Sequence, residues 1–446
     1  MKKYIAFIAV LFYSLSVAAQ STEQKLDELL SSYTKLEKFN GSVLVARNGE
    51  LLLDKGYGWQ DITGATANTV RSQFQIGSVT KQFTTAVIMK LQEQGKLKTT
   101  DKLSKFFPGY PKGDSITIEH LMTHTSGIYS YTNNEDFMKN EVTKYHQRDE
   151  MMALFKDKPL EFSPGKDWSY SNSGFVLLGY IIEKVTGKPY EKNVREIIFQ
   201  PTGMNASGFD FTHLKGADKA IGYLSYSGKT SPLAPIVDST ASYSAGAIYS
   251  TTHDLYKWTQ AVMAQKIISA ASWKSSFTPK LNNYGYGWGV DSLEGQPAMQ
   301  HSGGIHGFNS NLVILPERKI SIILLSNVNT PMLGEITNQI AAVVLGKPYK
   351  LPSDKTIIEV PEKTLLEYVG EYALTPNFIL TATVENGKLF VQATNQSKFE
   401  VFCEKPDFFF LKVVDAQLEF KRDATDKVDQ VILHQGGKDQ PAKKTK

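Results

Sequence analysis

Cysteine is almost absent from this chain of 446 residues: Cys403 stands alone, so no internal disulfide can staple the fold. A core must do that work, and the length allows a large one. Charge of one sign is lacking too. Lysines and arginines number 49 against 45 acids, a net +4 spread along the chain rather than gathered into a stripe, which argues against a nucleic-acid partner. No repeat of 20–50 residues and no low-complexity block is present, which excludes solenoids and propellers. Past the N-terminus no apolar run approaches the ~20 residues of a membrane span, so no stable span is expected.

The first residues do carry an apolar stretch. Lys2 and Lys3 give a basic start, Tyr4 to Leu15 an apolar segment, and Val17-Ala18-Ala19 a small-residue cleavage pattern. That order reads as a signal peptide over 1–19, hence export to the periplasm or medium. No Cys follows it to take a lipid. The terminal Lys443, Lys444 and Lys446 read as part of a disordered basic tail, 438–446.

Ser-x-x-Lys occurs at Ser32–Lys35, Ser78–Lys81 and Ser163–Lys166. Only Ser78 precedes an apolar helical stretch: Phe83, Ala86, Val87, Met89 and Leu91 follow, with Gly95 as a stop. Ser163 leads into a Pro-Gly turn, and Ser32 sits in a polar helix over Glu23 to Lys38. Residues three apart share one helix face, so the Lys81 amine can reach the Ser78 hydroxyl. An amine can activate a serine if burial suppresses its charge. A serine at a helix start also lies where free N–H groups favour developing negative charge.

Two further clusters carry chemistry. Tyr170-Ser171-Asn172 offers a phenol and an amide where a loop enters an apolar helix; a rival Tyr131-Thr132-Asn133 lies in a polar loop. His301-Ser302-Gly303-Gly304 precedes a strand beginning near Asn309, and its glycines permit close approach. The N–H groups of Gly304 and Ser78 can together hold an oxyanion. His120 and His124 have a zinc-compatible spacing, but Leu121 replaces the glutamate that a zincin motif requires, so no metal is expected. His306, Phe308, Tyr129, Trp168, Tyr284, Tyr286 and Trp288 are candidates for a pocket wall or for packing.

Strands are expected at Gly41 to Ala46 and Leu51 to Gly56 around an Asn48-Gly49 turn, and at Asn309 to Leu315 and Ile320 to Ser326. Strands at both ends with helices between predict one antiparallel sheet built from both termini and covered by helices. Prolines 348, 352 and 361 mark a linker over 347–362, and six short strands between Ile379 and Leu433 predict a small all-β barrel or sandwich, 363–437.

The order Ser-x-x-Lys, Tyr-x-Asn, His-x-Gly resembles the serine β-lactamase and penicillin-binding protein superfamily, in the branch of class C β-lactamases, D-alanyl-D-alanine carboxypeptidases, D-aminopeptidases and esterases. Phe74 to Gly77, Leu121 to Ile128, Ser244 to Thr251 and Tyr284 to Gly289 are also similar to that family's stretches; Ser244 to Thr251 resembles its Gly-rich strand. The resemblance implies an α/β fold over 20–346, an antiparallel sheet flanked by helices plus an all-helical subdomain, followed by the small C-terminal all-β domain. It implies Ser78 as acylated nucleophile, Lys81 and Tyr170 as acid–base pair, and Asn172, His301, Gly303 and Gly304 as substrate-binding residues, with no cofactor. The expected substrates are small esters, amides or D-amino-acid peptides. Two readings compete with it: a true β-lactamase or D-Ala-D-Ala carboxypeptidase, and an inactive recognition protein. His301 departs from the Lys-Thr-Gly that the resemblance leads one to expect, and removes a permanent positive charge. Oligomeric state has no signal in the sequence.

Overall fold

The computed structural model describes residues 20–352, 357–376, 378–411, 414 and 416–446. The segment read as a signal peptide lies outside them, as do four residues of the expected linker.

Six antiparallel strands form the central sheet, in the order Glu50–Tyr57, Gly41–Arg47, Ile320–Ser326, Phe308–Leu315, Gln296–Ile305, Gly289–Leu293. The strands from the two ends of the domain meet at its centre, where Val43 opposes Leu324. Side chains alternate across a strand. Val43, Val45, Val313, Ile322 and Leu324 therefore pack on one face against the helices Thr22–Lys35 and Leu333–Val344. Leu44, Leu312, Ile314, Ile323 and Leu325 face the other way, into the larger core of the helical layer. Burial on both faces explains why these strands read as apolar runs rather than alternating ones; each large side chain so buried contributes roughly 1.5–3 kcal/mol. The Asn48-Gly49 turn closes its hairpin with both residues at positive φ, 54° and 86°.

The helical layer holds Thr80–Glu93, Asn172–Thr186 and Thr252–Met263, linked by short helices and loops. One expected strand is a helix end instead. Ser239–Gly246 is helical, with a break at Tyr243, and only Tyr249–Ser250 pair as a strand, against Phe74–Gln75. The break lets the chain turn back toward the serine segment, where the Ile248 carbonyl accepts from Ile76 N–H and the Ile248 N–H donates to Thr80 Oγ1.

The C-terminal unit is a closed eight-stranded barrel from Gly370 to Lys444, around Tyr368, Tyr372, Phe409 and Phe420. Cys403 is buried in it as a free thiol. Two of its strands were not expected from the sequence. Gly370–Thr375 is one; the other, Lys438–Lys444, corrects the reading of 438–446 as a disordered basic tail. That strand pairs with Val428–Gln435 and with Gly370–Thr375, closing the barrel. Its lysines point outward and only Ala442 is buried, so it carries no apolar signature.

Candidate active site

Gly77 begins the serine segment at φ +49°, and a 3-10 turn, Gly77–Val79, leads into the Thr80–Glu93 helix. A Cβ on Gly77 would lie 2.9 Å from the Gly304 nitrogen, and one on Gly303 would lie 2.1 Å from the Ile76 carbonyl oxygen. Only glycines let these two backbones meet. Ser310 Oγ fixes the junction by donating to Ile76 O at 2.8 Å. Ser78 and the exposed Gly304 thus line one cleft side by side.

One turn on, Lys81 is fully buried. Its Nζ lies 3.0 Å from Ser78 Oγ, 2.8 Å from Asn172 Oδ1 and 2.8 Å from Ala245 O. Desolvation holds its pKa well below the ordinary lysine value, and no carboxylate bonds to it. A neutral amine has two N–H donors and one lone pair. The two carbonyl-type oxygens can only accept, so they take both hydrogens, and the lone pair is left facing the Ser78 hydroxyl. The other two Ser-x-x-Lys copies are structural: Ser32 Oγ donates to Glu28 O in its own helix, and Ser163–Lys166 closes a turn.

Tyr170-Ser171-Asn172 is placed by helix capping. Ser171 is the N-cap of Asn172–Thr186, its hydroxyl accepting from Gly174 N–H, which sets Tyr170 just before the helix and Asn172 in its first turn. Asn172 also donates to Thr132 Oγ1 at 3.1 Å, so the rival loop forms part of the cleft wall while Tyr131 is buried and bonded to Ala241 O. The Tyr170 ring lies over Lys81 Nζ, 4.8 Å from centroid to nitrogen. Its hydroxyl is buried without a well-formed hydrogen bond. Burial raises its pKa, and the nearby Ser78 side chain partly offsets the rise.

His301 stands on the Gln296–Ile305 strand opposite Leu312. Both ring nitrogens are engaged by the protein. Nδ1 donates to the Ser302 carbonyl at 2.6 Å, so Nε2 accepts from the Tyr284 hydroxyl at 2.7 Å. Burial, with Lys81 nearby, pushes the imidazole pKa down to about 4. The His301 ring therefore supplies neither a cation nor a free donor.

In the sequence His124 stands out only by its spacing from His120 and by lying in the family-like stretch Leu121 to Ile128. Its backbone is in the left-handed region, φ 59°, and its ring meets Tyr170, Tyr284, Phe175 and Trp168. Nδ1 accepts from Ser171 N–H at 3.1 Å. His120 instead accepts from Thr117 N–H in a helix cap, so the two rings serve different neighbours. Among the described residues no cluster of three or more His, Cys, Asp or Glu could hold a metal. Of the aromatic candidates, Tyr284 and Trp168 join this cluster; Tyr286, Trp288 and Phe308 are core, and His306 lines the cleft.

A sheet over which a helical layer holds Ser-x-x-Lys, Tyr-x-Asn and a Gly-containing strand edge is the arrangement of the β-lactamase and penicillin-binding class. The chain belongs to the β-lactamase family, whose model matches residues 26–345; a domain of unknown function, DUF3471, matches 354–444. Penicillin-binding protein 4* of Bacillus subtilis is 29% identical over 96% of this chain and 100% of its own length. An octameric penicillin-binding protein homologue from Pyrococcus abyssi is similar in structure, with TM-score 0.67 and 27% identity over 94% of this chain and 99% of that one. A D-stereospecific amidohydrolase from Streptomyces has TM-score 0.62 and 25% identity over 73% and 99%.

Proposed function

We propose that the protein is an exported serine hydrolase that forms an acyl-enzyme on Ser78 and acts on small esters, amides or D-amino-acid peptides. The observation that carries this reading is the buried Lys81 amine, 3.0 Å from Ser78 Oγ with its two hydrogens directed elsewhere. Lys81 takes the Ser78 proton as Oγ attacks the substrate carbonyl. The N–H groups of Ser78 and Gly304 hold the tetrahedral oxyanion; one such donor typically contributes about 2.7–4 kcal/mol. The Tyr170 hydroxyl, close to Ser78, passes its proton to the leaving group and is reprotonated by the Lys81 ammonium, which restores the neutral amine. Asn172 holds Lys81 and offers its amide to the substrate. Water then hydrolyses the ester on Ser78.

Helices among the described residues are all too short or too polar to cross a membrane. Export rests on the Lys2 to Ala19 pattern alone. The β-lactamase and carboxypeptidase alternative is supported by the penicillin-binding relatives and opposed by the neutral, internally bonded His301. The test is turnover of p-nitrophenyl acetate, nitrocefin and a D-Ala-D-Ala peptide by wild type and Ser78→Ala. Loss of ester turnover in Ser78→Ala supports the reading; wild-type turnover in that variant refutes it. Nitrocefin hydrolysis would favour the β-lactamase alternative.

A further inference from the structure

The cleft above Ser78 encloses about 530 Å³, and no Asp, Glu, Lys or Arg lines it among the described residues. Apolar side chains line part of it, Met138, Val142, Val237 and Ile305. Asn329 and Thr330, bonded to Gly307 and Asn309 of the hairpin that carries Ile305, add polar but uncharged groups. Two groups that could have supplied a charge do not. Lys81 lies behind Ser78 with its hydrogens on Asn172 and Ala245, and His301 is closed between Tyr284 and the Ser302 carbonyl. His306, which also lines the cleft, has its pKa lowered by burial, which favours the uncharged ring.

A carboxylate brought into such a cleft loses water and gains no partner charge, and an ammonium fares the same. The discrimination comes from the charge itself, whose burial without a partner is far more costly than that of a neutral polar group. We infer that the acyl part of the substrate is uncharged, an N-blocked amide or an ester whose apolar acyl group is seated against Met138, Val142, Val237 and Ile305. A free α-amine or carboxylate on the acyl part is thereby disfavoured, which weighs against the aminopeptidase form of the chemistry. This inference rests on the acyl-enzyme reading of Ser78.

The experiment compares kcat/KM at pH 7.5 for three p-nitrophenyl esters of similar size: butyrate, hemisuccinate and β-alaninate. Wild type, Ser78→Ala and Ile305→Lys are used. The expected result is a preference for butyrate of at least about tenfold over either charged ester in wild type, no turnover in Ser78→Ala, and a shift of the hemisuccinate-to-butyrate ratio upward in Ile305→Lys. Equal or better turnover of a charged ester by wild type, with Ser78→Ala inactive, overturns this inference and leaves the hydrolase reading standing. Turnover that survives in Ser78→Ala, or none by wild type on any ester, overturns both.

Discussion

The imidazole of His124 lies against the phenol of Tyr170, ring centroids 4.1 Å apart and planes inclined by 33°. The same imidazole receives the Ser171 N–H, so one ring fixes both the residue before the helix and the N-cap itself. In the proposed mechanism His124 touches no reacting atom and instead positions the Tyr170 phenol. Replacing it by Asn, which tolerates positive φ, removes the stack while keeping the backbone. A kcat lowered about 10- to 100-fold at unchanged KM is expected for p-nitrophenyl butyrate in His124→Asn. Unchanged kcat with a lowered Tm would make the ring a packing element only.

Lys81 must be neutral to accept a proton. Its pKa is depressed in the fold, so the active free base is present above that depressed value and is lost as pH falls through it. A pH–rate profile on an uncharged ester should show one acid limb well below pH 10.5, and kcat should rise with pH across it. His301, already neutral down to about pH 4, adds no limb above that pH. A rate that increases on acidification would contradict the role given to Lys81.

Gly303 is held where an added Cβ would stand 2.1 Å from Ile76 O and 2.4 Å from Ser310 Oγ. In Gly303→Ala the strand must retreat from the serine turn and take the Gly304 N–H with it. Loss of one oxyanion donor predicts a fall of about 10²–10³ in kcat. Steady-state kinetics on the ester checks this; a kcat within twofold of wild type would remove Gly304 from the oxyanion site.

The last strand closes the barrel. A chain ended after Gly437 leaves Gly370–Thr375 and Val428–Gln435 as open edges, which are prone to pair between molecules. Differential scanning calorimetry should show loss or lowering of the barrel transition, and light scattering should show association. A truncated chain that melts and scatters like the full one would return these residues to the status of a tail.

Much of this architecture is readable from residue patterns, for particular reasons. The hairpins around Asn48-Gly49 and around Pro316 to Lys319 stand out because of their turn residues and because the strands Gly41–Arg47, Phe308–Leu315 and Ile320–Ser326 are buried on both faces. Ser78 is separable from Ser32 and Ser163 because only its lysine opens a helix carrying the apolar run Ala86 to Met89, and that helix is buried on nearly every face. What escapes is set by long-range geometry. The Lys438–Lys444 strand needs only Ala442 inside a barrel whose other wall is already built, so its polar sequence passes for a tail. The hold on His301 comes from Tyr284, seventeen positions away, and turns a histidine that could titrate near neutrality into one that does not. His124 shows nothing in sequence of its positive φ or of the four rings around it.

Acylation of Ser78 is the central claim, and covalent capture tests it most directly. The purified protein is exposed to a fluorophosphonate and digested, and the adduct is located by mass spectrometry, with Lys81→Ala treated alongside. A single adduct on Ser78 in wild type, formed at least about 10²-fold more slowly in Lys81→Ala, is the expected result. No adduct, an adduct on another residue, or equal labelling rates in the two proteins would contradict the account.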